Sequence, residues 1–447
     1  MFVSQIIKSF QITKRVLRKC TITSQTTEGN LVDKKIAIRQ LFDRVPKGPF
    51  NKTLVVEIGG NVSGPIASSE LARKGSLVIK LEQKGMGDPA RSYLPSKDKP
   101  NAIFTSLNAA KASIALSPEE KEEYRSLLQL ADVIIDNRSP DAKNRDEVLQ
   151  HFLKDPAKPH PVIFCSIVGY DSKIFHYRSA WDTAVQAWSG MASVNASTPN
   201  SPLKVGFTLI DITTGLQAAS EIKDSLFLLR DRDFHPHNKS VIDLEVSMAK
   251  VSANLLVGQY LTYKTVGIEP ARKGNRDLFV APFSFYNASD GLISLSVICG
   301  KFETPFKILC EKVLECPELA QKYNSNANRL ANIDAFEEEL NRIISKKTKQ
   351  EWVDLCLKHG VVCSVVNTVA QALQDDFAPS MFSHTVDGTM IIARPGMCSA
   401  FPDEPLSSAP LIDEHRPHIQ SLLKFCADSH ISNFNRVMDC LNEELNP

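Results

Sequence analysis

The chain has 447 residues, 43% of them apolar, with 52 basic and 51 acidic side chains. That length and apolar content allow a core spread over two or three domains. The near-neutral charge excludes a global pull toward nucleic acid or an anionic membrane. No apolar run approaches the ~20 residues a membrane helix needs. None of the ten cysteines forms a Cys-x-x-Cys pair, so there is no zinc or redox motif. Several sit in apolar runs such as "VIFCSIV" and read as small core residues of a protein from a reducing compartment.

The opening stretch "MFVSQIIKSFQITKRVLRKCTITSQTT" is basic, rich in Ser and Thr, and free of acids before Glu28. Val3, Ile6, Ile7 and Phe10 share one helical face. This composition predicts a mitochondrial presequence within an N-terminal extension over 1–45; a disordered basic tail of a cytoplasmic protein has the same composition. From Asn51 strands alternate with helices. "KTLVVEI" reads as a strand, "GGNVSGP" as a turn, "IASSELARKG" as a helix and "SLVIKLE" as a second strand. "SIAL", a helix over 118–131, "DVIIDN" and "PVIFCSIVGY" continue the pattern. Such alternation implies an α/β domain on a parallel sheet, placed at 46–250. After Met248 the texture changes. "LFVAPFSFYNASDGLISLSVI" reads as a hairpin turning at Asp290-Gly291, followed by helices and the strand "VVCSVVN". A smaller α+β domain is placed at 251–380, and residues 381–447 return to the large domain.

"GGNVSG" follows a strand, opens a helix, and has Glu82 about 20 residues on, as a dinucleotide fingerprint asks. The fingerprint fails at its middle glycine, where Asn61 stands. A tight turn offering backbone N–H groups to one ligand phosphate fits better. No histidine pair has metal-ligand spacing, so no metal is expected, and no Gly-x-Ser-x-Gly elbow supports a serine hydrolase. Asp211 stands among Thr208, Leu209, Ile210 and Ile212. Leu216, Ala219, Ile222, Leu226 and Leu229 recur at helical spacing, which starts a helix near Thr213. Asp211 then reads either as a helix cap or as a reactive carboxylate in a partly dry pocket.

Taken together, "SGPIASSELARKGSLVIKLEQKGMGDPARSY", "DVIIDNRSPDAKNR", "AWDTAVQAWSGM" and "GFTLIDITTGLQAA" resemble, in order, segments of the class III CoA-transferases, the CaiB/BaiF family. "YNASDGLISL", "EWVDLCLKHGVVCSVV" and "APLIDEH" resemble three later landmarks, so the likeness runs from Leu54 to Phe425. It implies a large Rossmann-like domain, a small domain, and two subunits interlocked as a homodimer. It implies that acyl-CoA and a carboxylic acid are the substrates, that no cofactor is permanently bound, and that Asp211 is the carboxylate that carries the acyl group and then CoA. The backbone of Gly60, Asn61, Val62 and Ser63 matches the loop that meets CoA. Lys84 suits its phosphates, Asn137 and Arg145 match an adenine- and phosphate-side pair, and Leu116 a wall position. The family usually has Asp where Glu57 stands, and the "RDRDFHPHNKS" loop is unusual. A racemase on the same scaffold is the first alternative, and a non-catalytic CoA-binding homologue the second. Racemases of this family place a histidine directly before the aspartate of the "AWDTAVQAWSG" segment; here Trp181 precedes Asp182, and His176 lies a little upstream.

Overall fold

The computed structural model of the chain describes residues 25–93, 101–156, 158, 160–175, 178–195, 201–230, 240–270, 274–298, 303–396, 398–400 and 404–442. Two compact units emerge. The first holds residues 1–185, 208–254 and 380–447; the second holds 186–207 and 255–379. The division expected at 251–380 therefore lacked one piece, since 186–207 clusters with the smaller unit.

The first unit is built on a six-stranded parallel sheet. Its strands are β1 (Leu54–Ile58), β2 (Leu77–Gln83), β3 (Ala112–Leu116), β4 (Val133–Asp136), β5 (Val162–Val168) and β6 (Val241–Ser247). Their order is β3-β2-β1-β4-β5-β6, every pair parallel. β1 and β3 are buried along their whole length, because helices cover both faces of a parallel sheet. The order reverses direction between β1 and β4, and ligands of such sheets bind beyond the strand ends at that point. β6 escapes a hydropathy reading because it is an edge strand with Asp243 and Glu245 exposed.

Helix α1 (Gln25–Phe42) corrects the expected extension over 1–45. Ile38 and Leu41 are fully buried and share a core with Phe434 and Val437 from the chain end. Lys34 pairs with Asp428 at 2.7 Å on the same side. Residues 32–42 thus belong to the large unit, and the basic stretch over 1–24 lies outside the described residues.

The smaller unit carries an antiparallel sheet of β7 (Phe283–Ala288), β8 (Gly291–Ser296) and β9 (Val362–Val365). The hairpin turn is Ser289-Asp290, one residue earlier than expected, and Gly291 opens β8. Trp352 is buried and donates from Nε1 to the Ile344 carbonyl at 2.6 Å. Thr348, directly before the helix Lys349–Lys358, forms a capping box with Glu351.

Candidate active site

The end of β1 and the end of β4 are tied by one side chain. Asn137 accepts from Gly60 N at 3.1 Å and donates to the Gly60 carbonyl at 2.7 Å. Gly59 has φ 116°, and a Cβ there would meet Asn137 Oδ1 at 2.1 Å, so only glycine permits this approach. Asn61 follows at φ 65°, a left-handed geometry that asparagine tolerates. Its N–H donates to Asp88 Oδ1 at 2.9 Å, and its Oδ1 accepts from the Tyr93 hydroxyl at 2.7 Å.

Below this loop lies a buried charge network. Lys80 pairs with Glu57 at 2.5 Å and with Asp88 at 2.7 Å, while Lys111 pairs with Glu57 at 2.8 Å. Burial would push the Glu57 carboxyl up, but the two lysines outweigh it and hold it at about 2. Burial brings Lys111 down to about 8. The dinucleotide reading ends here too. Both oxygens of Glu82 are occupied, by Arg91 at 2.6 and 2.8 Å and by Ser113 at 2.6 Å, so Glu82 has no carboxylate free for a ribose.

Helix α2 (Ser63–Ala72) leaves the loop and packs against helix α3 (Leu209–Arg230). The contact is close because Gly215 faces Ser63: a Cβ there would lie 2.6 Å from the Ser63 carbonyl oxygen. That packing sets Asp211, in the first turn of α3, beside the loop. The helix starts at Leu209, not near Thr213, and Asp211 is not its cap. The cap comes from elsewhere: buried Asp182 accepts from Ile210 N at 2.7 Å and from Asp211 N at 3.2 Å, both through Oδ2. The Asp211 carboxylate has no hydrogen bond or ion pair among the described residues. Burial first, and the Asp182 charge second, push its pKa up to about 6. The Tyr93 phenol is raised as well, by burial and then by Asp88 and Asp211.

Asp211 opens into a cavity of about 890 Å³. The cavity brings together Asp211, Gly60, Asn61, Val62, Ser63, Leu116, Asn137 and Arg145. Lys84 is not among the described lining residues; it is exposed, 3.7 Å from Glu120, which does line the wall. Arg145 is 78% exposed and, among the described residues, held by Asp141 one turn back, so its guanidinium can turn to a ligand phosphate. Arg138 is different: it is bound to Asp136 at 2.7 Å and Asp146 at 3.0 Å and reads as structural. Lys121, unremarked in the sequence, lines the same mouth with 56% of its side chain exposed. Asp182 was missed as well, since nothing local marks a cap that serves a helix 29 residues away. No histidine lines the cavity among the described residues, and His176 lies outside them.

The model of CoA-transferase family III matches residues 51–416. The chain belongs to that family. Acetyl-CoA:oxalate CoA-transferase of Acetobacter aceti is 31% identical over 381 residues, covering 83% of this chain and 94% of that protein. Succinyl-CoA:glutarate CoA-transferase of Mus musculus is 27% identical over 391 residues, covering 83% and 85%. The crystal structure of a CaiB/BaiF family protein from Brucella suis has a TM-score of 0.71 at 24% identity, covering 84% of this chain and 99% of that one. The α/β architecture of this chain matches that fold.

Proposed function

We propose that this family member moves CoA between an acyl-CoA thioester and a free carboxylic acid, with Asp211 as covalent carrier. The observation that carries the reading is the Asp211 carboxylate itself: without a partner among the described residues, partly desolvated, and facing a cavity of about 890 Å³. A carboxylate with a pKa of about 6 is ionised at neutral pH yet more basic than an ordinary aspartate, which favours nucleophilic attack. One Asp211 oxygen attacks the thioester carbonyl, the C–S bond breaks, and CoA leaves as thiolate with an aspartyl–acyl anhydride behind it. The thiolate attacks the Asp211 carbonyl, expels the acyl carboxylate and leaves an aspartyl-CoA thioester. The acceptor carboxylate then repeats the two steps in reverse order. Loop 60–63 and the exposed cations Arg145 and Lys121 line the same cavity, which supports a role for them at the CoA phosphates; the proposed steps use no other cofactor.

Small dicarboxylic acids are the proposed acceptors, supported by the oxalate and glutarate in the relatives' names. The test is an exchange assay: purified protein with a panel of acyl-CoA esters and labelled acids, new thioesters read by mass spectrometry. Hydrolysis or no turnover with every pair would refute the proposal. A racemase needs acid and base groups on opposite faces of an α-carbon. Trp181 before Asp182 cannot supply one, so transfer is favoured.

We also propose a homodimer. Helix Val257–Val266 has no buried residue, while Val257, Leu261, Tyr263 and Val266 are each at least half exposed. Such a helix needs cover. Light scattering should give about twice 49.5 kDa, and a monomer would contradict it. A mitochondrial destination is proposed from the basic segment over 1–24; a fluorescent fusion of those residues that stays in the cytosol would refute it.

A further inference from the structure

The sequence has no Cys-x-x-Cys pair, yet the smaller unit folds two of its cysteines against each other. Cys356 lies in the last turn of the helix Lys349–Lys358, and Cys363 lies in β9, an edge strand of the three-stranded sheet. Between them the chain reverses in a tight turn: the Cys356 carbonyl accepts from His359 N at 3.1 Å and from Val361 N at 2.9 Å. Gly360 makes the turn at φ 68° in open space. Cys363 pairs in register with buried Leu295 of β8 and alternates with exposed Val362 and Ser364, so its side chain turns inward. Both cysteines pack in the same core as Trp352 and Leu340, and the Cys356 thiol donates a hydrogen bond to the Cys363 sulfur.

The two thiols differ. Cys356 is buried, while Cys363 is half-buried on the strand edge. The hydrogen bond from Cys356, and another from the Ser364 N–H, favour a thiolate at Cys363 against its burial. The same bond, together with burial, keeps Cys356 a thiol. Core packing alone accounts for Cys356, but not for a second sulfur in contact with it at a half-open edge. A reachable sulfur beside a buried one is the arrangement of an attacking and a resolving cysteine. A disulfide asks only for a closer approach of two sulfurs already in contact, and the open turn at Gly360 leaves room for it. We propose that Cys356 and Cys363 are a redox-sensitive dithiol, closed reversibly to a disulfide by a small-molecule disulfide such as oxidised glutathione. The Cys363 thiolate attacks one sulfur of the oxidant and displaces a glutathione thiolate. The Cys356 sulfur then attacks Cys363 in the mixed disulfide and displaces the second glutathione thiolate, which takes up the Cys356 proton. Two protein thiols become one disulfide, and the oxidant leaves as two reduced molecules. The exposed turn lets a reducing thiol in to reverse the step.

The probe is oxidised glutathione, added to the native full-length protein. The reaction is quenched in acid, free thiols are alkylated with N-ethylmaleimide in denaturant, and the protein is digested with trypsin without reduction. Cleavage after Lys358 separates the two cysteines, so the disulfide is expected as a link between peptides 350–358 and 359–394, released by dithiothreitol. Cys356→Ser should stop at a glutathione mixed disulfide on Cys363. Cys363→Ser should leave Cys356 alkylated. Exposed Cys398 reports that the oxidant was active. Wild-type protein with glutathione on Cys398 but only maleimide on Cys356 and Cys363 would overturn the proposal. A disulfide from either cysteine to any other would overturn it equally. The wild-type map decides even if a variant fails to fold, and it does not depend on transfer activity.

Discussion

Asp182 holds Asp211 through the backbone: its Oδ2 accepts the Asp211 N–H at 3.2 Å and that of Ile210 at 2.7 Å. One aspartate therefore fixes where the other's helix begins, and its charge also raises the other's pKa. Asp182→Asn keeps an acceptor oxygen and removes the charge. Asp211 should then titrate lower, and the acid limb of kcat/KM should move to lower pH with little change in stability. Asp182→Ala loses the cap and should cost about 1–2 kcal/mol in a thermal melt. A purely structural Asp182 would leave the acid limb of the asparagine variant where the wild type has it.

Asp211 itself should weaken the fold. It titrates near 6 in the folded chain against an ordinary 3.8, so the folded state holds the proton more tightly. The cost of ionising it is absent below about pH 4, grows between about pH 4 and 6, and is complete above that. Asp211→Asn should raise stability at pH 7 by about 1–3 kcal/mol and leave it nearly unchanged at pH 4, read from denaturant melts. Equal effects at both pH values would mean that desolvation does not govern this carboxylate.

Gly215 should be sensitive for activity. A methyl there meets the Ser63 carbonyl oxygen at 2.6 Å and Ile66 at 2.7 Å, so α3 must move away from the loop. Gly215→Ala is expected to destabilise by about 1–3 kcal/mol. It should also lower kcat by roughly tenfold or more, because Asp211 shifts with its helix. Wild-type kcat in a folded variant would show that the α2–α3 spacing does not place the carboxylate.

Glu57 neutralises two fully buried lysines. Glu57→Gln takes the carboxylate from Lys111 and leaves Lys80 with Asp88 alone, and should cost about 3–5 kcal/mol. Glu57→Asp, the residue usual in the family, should cost less, since it retains the charge. Equal losses from the two would remove charge pairing as the reason.

Much of this fold was legible in the chain because a parallel sheet buries whole strands. "LVVEI" and "VIFCSIV" are apolar almost without interruption, and the breaks between them are the real loops. The strand "VIDLEVS" was not legible, because an edge strand needs no continuous apolar face. Asp211 stood out as one acid among apolar neighbours, but its helix was started too late. The periodicity begins at Leu216 because the first turn, Leu209–Ile212, is apolar on all sides apart from Asp211, and the cap that fixes it is remote. Nothing in the sequence marks Glu57 and Lys80 as partners, 23 residues apart on two strands. Only the parallel register, which sets Glu57 opposite Lys80, shows them as a buried pair.

The covalent role of Asp211 is open to one direct measurement. Intact protein is incubated with an acyl-CoA substrate and no acceptor acid, quenched in acid, digested and examined by mass spectrometry. The account predicts that the peptide containing Asp211 carries a labile CoA adduct, that hydroxylamine converts it to the hydroxamate, and that Asp211→Asn carries neither. An unmodified Asp211 peptide from protein that still turns over, or an adduct on a different residue, would contradict it.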